Sequence, residues 1–230
     1  MEGSYSTNPY DGEVRINEFK KLVRKYNEAG INIIMDVVYN HVYAAVGCNF
    51  DVLMPGYYFR YVKDRVFSNG SGCGNETASE MPMFRKFMID SVLFWAKEYK
   101  IAGFRFDLMA IHDLETMNEL AKKVHEYNPN IVLFGEPWMA DRSTLPPEKA
   151  AHKGNANKYK GYGFFSDSMR DSLVRTSKDI RSDNRRSMSY PKVICVCARF
   201  ICRKGQIKRN VRIRIHIIRV LCFGCKCLVV

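Results

Sequence analysis

The chain has 230 residues, 47% hydrophobic, enough for one good core and ordinary for a globular domain. Its formal charge of +12 suggests a polyanion-binding protein, but the charge is not spread evenly. Of 36 Lys and Arg and 24 Asp and Glu, 15 and 2 fall in residues 175–230, which leaves 21 and 22, a net of −1, for residues 1–174. A nucleic-acid interface is therefore not expected in the first three quarters of the chain. The cysteines divide the same way: Cys48 and Cys73 lie in the first part, and Cys195, Cys197, Cys202, Cys222, Cys225 and Cys227 in the last. No segment at the start has the order of a signal peptide, and no run approaches a membrane span. Cytoplasmic and secreted locations both stay open.

In chain order, Gly3 to Gly12 is rich in turn formers and reads as a loop. From Arg15 to Ala29, Phe19, Leu22, Val23 and Tyr26 repeat at helical spacing, and Gly30 supplies a stop. An apolar strand then spans Ile31 to Tyr39 and delivers Asn40 and His41 at its carboxyl end. Residues 43–79, with their glycines and aromatics, read as an insertion above that strand, because long loops in such places usually bind or cover. Pro82 opens a helix with a wide apolar stripe, Phe84, Phe87, Met88, Val92, Trp95 and Tyr99, which reads as core.

The short run Gly103 to Met109 carries Arg105 and Asp107 two residues apart. In a strand they share a face opposite Phe104 and Phe106, so a guanidinium sits beside a carboxylate and favours its ionised form. That is what a carboxylate nucleophile requires, although a structural ion pair has the same signature. A helix follows from Leu114 to Tyr127, with Asp113 as its N-cap and Asn128-Pro129 as its stop. His112-Asp113 therefore reads as capping chemistry and not as a catalytic pair. Ile131 to Gly135 is a third apolar strand and runs into Glu136-Pro137-Trp138. Three strands that each present polar residues at the carboxyl end predict a partial (β/α)8 barrel, about three of eight strands, with the insertion after the first of them.

The segments ending in Asp36 to His41, in Arg105 to Met109 and in Glu136 resemble the first three conserved regions of the α-amylase superfamily of glycoside hydrolases. Phe106 between Arg105 and Asp107, and the stretches Met54 to Arg60 and Ser71 to Ala78, resemble type I pullulanases, which debranch starch. The resemblance implies a retaining hydrolase of α-1,6 links in pullulan, limit dextrin or branched starch and glycogen. Asp107 would be the nucleophile and Glu136 the acid and base, with Arg105 and Asp36 supporting, His41 binding sugar and Asn40 as scaffold. Trp138 and Tyr57 would stack on sugar rings, or belong to the core. It implies no organic cofactor; calcium stays open, with no ligands to name. An α-1,4-acting amylase, a glycogen-debranching relative and a non-catalytic carbohydrate-binding fragment are the alternatives.

The family pattern departs in places. Ala102 stands where many relatives carry aspartate, the tyrosine-rich motif upstream is missing, and no His-Asp pair follows Glu136. The likeness continues weakly through Phe164 to Asp167 and Arg170-Asp171 and stops near Arg175. Residues 1–174 are thus expected to be part of a catalytic domain, poorly stable and inactive when isolated. For the tail three readings are open: a polyanion-binding arm, a metal-binding module using Cys222, Cys225, Cys227 and His216, or sequence from a shifted reading frame. The coincidence of the composition break with the family break favours the last.

Overall fold

In the computed structural model, the described residues are 5–165 and, as backbone only, the short segments Ala198–Arg199 and His216–Ile218. The tail cysteines and the positions after Phe165 that resemble the family, Ser166 to Asp171, lie outside them.

Helix α1, Gly12–Glu28, begins where Asp11 accepts hydrogen bonds from the Glu13 and Val14 amides. It ends at Gly30, whose φ of +74° suits glycine. Strand β1, Ile33–Val37, follows. The 43–79 insertion contains the short helix α2, Asn49–Leu53, and the hairpin β2, Tyr61–Lys63, with β3, Val66–Phe67. Helix α3, Pro82–Tyr99, starts on a proline that needs no amide partner. Then come β4, Gly103–Phe106, and α4, Leu114–Tyr127, capped by the Asp113 side chain on the Thr116 amide at 2.9 Å. Strand β5 is Val132–Gly135.

The sheet is parallel from β1 through β4 to β5. A fourth parallel strand, β6, Tyr162–Phe165, continues it beside β5, one more than the three read from the sequence. Its four residues Tyr-Gly-Phe-Phe are too short a run to stand out from a loop. The backbone of β7, Ala198–Arg199, pairs antiparallel with β6, and that of β8, His216–Ile218, pairs parallel with β1. The result is an open α/β sheet.

Phe19 and Val23 of α1, Met88 and Val92 of α3, and Leu120 and Val124 of α4 join Ile33, Met35, Val37, Phe104, Phe106 and Leu133 in one core. Alternation along the strands then turns Asp36, Arg105 and Phe134, which are register partners, to the face away from the helices. Two glycines let the strands approach: a Cβ on Gly103 would lie 2.8 Å from the Val132 carbonyl oxygen, and one on Gly135 would lie 2.8 Å from that of Phe106. The predicted α3 stripe is narrower than expected, because Phe87 is 41% exposed.

His112 is fully buried, and neither imidazole nitrogen has a hydrogen-bond partner. Burial pushes its pKa from 6.5 down to about 3, and nearby Arg60 acts in the same direction. The unfolded chain takes up a proton near pH 6.5 that the folded chain refuses until near 3. Stability present above 6.5 is therefore lost as pH falls towards 3, by up to about 1.4 kcal/mol per pH unit. We expect His112→Leu, which removes both unpaired nitrogens, to flatten this slope in urea unfolding between pH 7 and 4. Equal slopes in parent and variant would contradict the assignment.

Candidate active site

The site lies at the carboxyl ends of β1, β4 and β5. The ladder continues one residue past each inner strand: the Asp107 amide donates to the Val37 carbonyl at 3.1 Å and the Glu136 amide to that of Phe106 at 3.0 Å. The two carboxylates therefore start from adjacent strand ends. One level below them Arg105, 4% exposed, reaches all three acids. Its Nη1 lies 2.8 Å from Asp36 Oδ1 and 3.0 Å from Asp107 Oδ1, and its Nη2 pairs with Glu136 Oε1.

A single guanidinium thus faces three carboxylates in a half-buried setting. Burial disfavours its charge, but Asp36 first, then Glu136 and Asp107, outweigh this and raise its pKa. Glu136 shifts in the direction of an acid. Burial raises its pKa, the charges of Asp107 and Asp36 add to this, and the shared Arg105 and the Leu108 amide at 3.2 Å offset only part. That amide belongs to a non-glycine residue in the left-handed region, φ +40°, directly after Asp107.

Asn40, fully buried, donates from Nδ2 to both the carbonyl oxygen and Oδ2 of Asp107, at 2.7 and 3.0 Å. Its Oδ1 faces His41 Nδ1, which places the neutral imidazole's proton on Nδ1. Burial lowers the His41 pKa, and Asp107 opposes the shift. Asp36, Asn40, His41, Arg105, Asp107 and Glu136 are therefore one connected group.

Trp138 is at its margin, with its ring 6.2 Å from that of Phe165. Tyr57, the other aromatic named from the sequence, accepts the Met83 amide at 3.2 Å and packs on Tyr58, so its hydroxyl is engaged at the start of α3. From the sequence, Phe165 reads only as part of the weak likeness from Phe164 to Asp167, with no role at the site. It lies under the Arg105 guanidinium at 5.8 Å and against Phe134 at 5.7 Å, a cation-π contact that an unremarkable Phe-Phe pair does not announce. Among the described residues no group of three His, Cys, Asp or Glu is placed to hold a metal ion, and no helix is long and apolar enough to cross a membrane.

Because the folded state raises the Glu136 pKa, this group contributes stability below its ordinary value of 4.5 that is lost as pH rises through the raised one. Glu136→Gln should therefore be more stable than the parent at neutral pH, with the difference vanishing below about pH 4. A variant less stable at neutral pH would show that Arg105 outweighs burial.

No protein-family model matches the chain. Individual relatives do. The pullulanase of Bacillus subtilis strain 168 is 43% identical over 173 residues, 75% of this chain and 24% of that protein. Isoamylase 1 of rice chloroplasts is 39% identical over 139 residues, 58% and 16% of the two chains. Among solved structures, the pullulanase of Paenibacillus barengoltzii in complex with maltohexaose and α-cyclodextrin superposes with a TM-score of 0.72 at 50% identity, over 74% of this chain and 26% of that one. The chain spans about a quarter of the length of these pullulanases, and over about three quarters of its own length it is pullulanase-like.

Proposed function

We propose that the site is that of a retaining α-glucan hydrolase acting on α-1,6 branch links, of which this chain carries the nucleophile and the acid. The observation that supports this most is the sharing of one buried guanidinium by two carboxylates on adjacent strand ends, one of them with a raised pKa. Two carboxylates flanking one cleavage point, one of them shifted towards holding its proton, suit the paired roles of acid and nucleophile. The pullulanase and isoamylase relatives favour a debranching reading over an α-1,4-acting one.

In the first step the Asp107 carboxylate attacks the anomeric carbon as Glu136 gives its proton to the departing glycosidic oxygen. The carbon-oxygen bond breaks and a glycosyl ester forms on Asp107. In the second step Glu136, now a carboxylate, takes a proton from water, whose oxygen attacks the same carbon and releases Asp107. Two inversions give net retention. Asn40 and Arg105 hold the nucleophile from two sides, so its approach to the sugar is set before substrate arrives. His41 hydrogen-bonds the sugar at the cleavage point, and Trp138 lines the approach.

The family's later His-Asp pair, whose aspartate helps hold the distorted sugar, has no counterpart after Glu136 in this sequence. The chain alone is therefore proposed to bind glucan without turning it over. Purified chain incubated with pullulan should release no maltotriose, with Glu136→Gln as the control for contaminating activity. Maltohexaose should bind weakly in a titration, and Trp138→Ala should weaken binding about tenfold, the loss of one stacking contact. Glutamate-dependent release of maltotriose would overturn the inactive reading, and no binding at all would remove the glucan site.

A further inference from the structure

Beyond the six connected residues, the insertion contains a run of three consecutive buried polar side chains, Asn75, Glu76 and Thr77, at 3%, 0% and 1% exposure. Their partners lie in two directions. Asn75 accepts the Val42 amide at 3.0 Å and donates to the Val42 carbonyl at 2.8 Å. Thr77 donates from its hydroxyl to the Tyr39 carbonyl at 2.7 Å and from its amide to that of Asn40 at 2.9 Å. These bonds pin the loop that carries Asn40 and His41.

Glu76, between them, engages the other wall. Its Oε1 accepts the Ser143 hydroxyl at 2.6 Å and faces Arg60 Nη1 at 3.3 Å, and its Oε2 accepts the Gly70 amide at 2.7 Å. The Gly70 carbonyl in turn accepts the amides of Ala140 and Asp141, at 2.9 and 3.1 Å, and Ser68 Oγ accepts that of Thr144 at 3.0 Å. Residues 140–144 directly continue the segment that bears Glu136 and Trp138. The fit is close at Gly70, where a Cβ would collide with Glu76 Oε2 and come within 2.9 Å of the Ser143 Cβ.

A fully buried carboxylate costs desolvation that an apolar residue of the same size avoids, and removing one of its partners exposes that cost. What the carboxylate supplies instead is two acceptors aimed at two separate loops. We infer that Asn75, Glu76 and Thr77 are positioning residues, forming a strap that couples the Asn40–His41 loop to the Glu136–Trp138 loop so that the two walls of the cleft are set together. The roles of the walls rest on the glycosidase reading above; the coupling itself does not.

The test uses the full chain and needs neither glucan nor turnover, so a failed pullulan assay leaves it standing. The chain has two tryptophans, Trp95 in the α3 core against Phe19 and Tyr99, and Trp138 on the cleft wall. Fluorine NMR of 5-fluorotryptophan-labelled protein separates them, and the imidazole titration of His41, which faces Asn40 and Asp107, reads the opposite wall. Asn75→Ala should open the His41 side and raise its midpoint towards 6.5, and should also move the Trp138 resonance. Glu76→Gln should move the Trp138 resonance and also shift the His41 midpoint, with Trp95 unmoved in both. Variants that disturb only their own wall, or that move Trp95 as far as Trp138, would overturn the coupling. If Glu76→Gln does not fold, Ser143→Ala, which leaves Glu76 its bonds to Gly70 and Arg60, is read by the same two signals and the same criteria.

Discussion

Arg105 holds the site together. Asp36 comes from β1, Asp107 from the end of β4 and Glu136 from the end of β5, and each meets the same guanidinium. Three carboxylates drawn into a half-buried cleft repel one another, and a cation with several donors in a planar fork is the side chain suited to bind them together. One positive charge does not neutralise three negative ones. Burial first, with the charges of Asp107 and Asp36 adding to it, makes Glu136 hold its proton more tightly than an ordinary glutamate, and Arg105 offsets only part of this. On the proposed glycosidase reading, acid and nucleophile share this one arrangement.

That arrangement depends on the sheet being parallel and in register. The pairing of Asp36 with Arg105 and of Arg105 with Phe134 puts these three at one level, and the polar ends rise together above it. Gly103 and Gly135 permit the backbone approach, since either added Cβ would press on a neighbouring strand's carbonyl oxygen. Phe165, from the fourth strand, covers the guanidinium from one side, and Asn40 fixes Asp107 from another. The hydrophobic face packs on α1, α3 and α4, so the forces that form the core and those that form the site act on opposite sides of the same strands.

Much of this was legible in the sequence. Leu114–Tyr127 is bounded as its Asp113 cap and Asn128-Pro129 stop predict, and Asp36, Asn40, His41, Arg105, Asp107 and Glu136 meet as the motifs imply. What could not be read depends on contacts between distant positions. Glu76 lies among glycines, serine and asparagine and looks like a solvated loop acid; its burial is settled by Ser143, 67 residues away. Phe165 looks like any strand phenylalanine until Arg105 is placed over it. Leu108 carries no sign of its left-handed backbone, because leucine has no preference that would announce it. His112 was read as part of a cap, and the cap is Asp113 alone; the histidine is buried without a partner.

The most direct test of Arg105 as the organising cation is the pH dependence of unfolding in Arg105→Met, measured by denaturant titration beside the parent. Removing the cation that contacts all three acids leaves buried charge uncompensated, a loss of about 3–5 kcal/mol near neutral pH. That loss should shrink as pH falls through the carboxylate range and the acids take up protons. A variant as stable as the parent at neutral pH, or a loss that does not change with pH, would contradict the account.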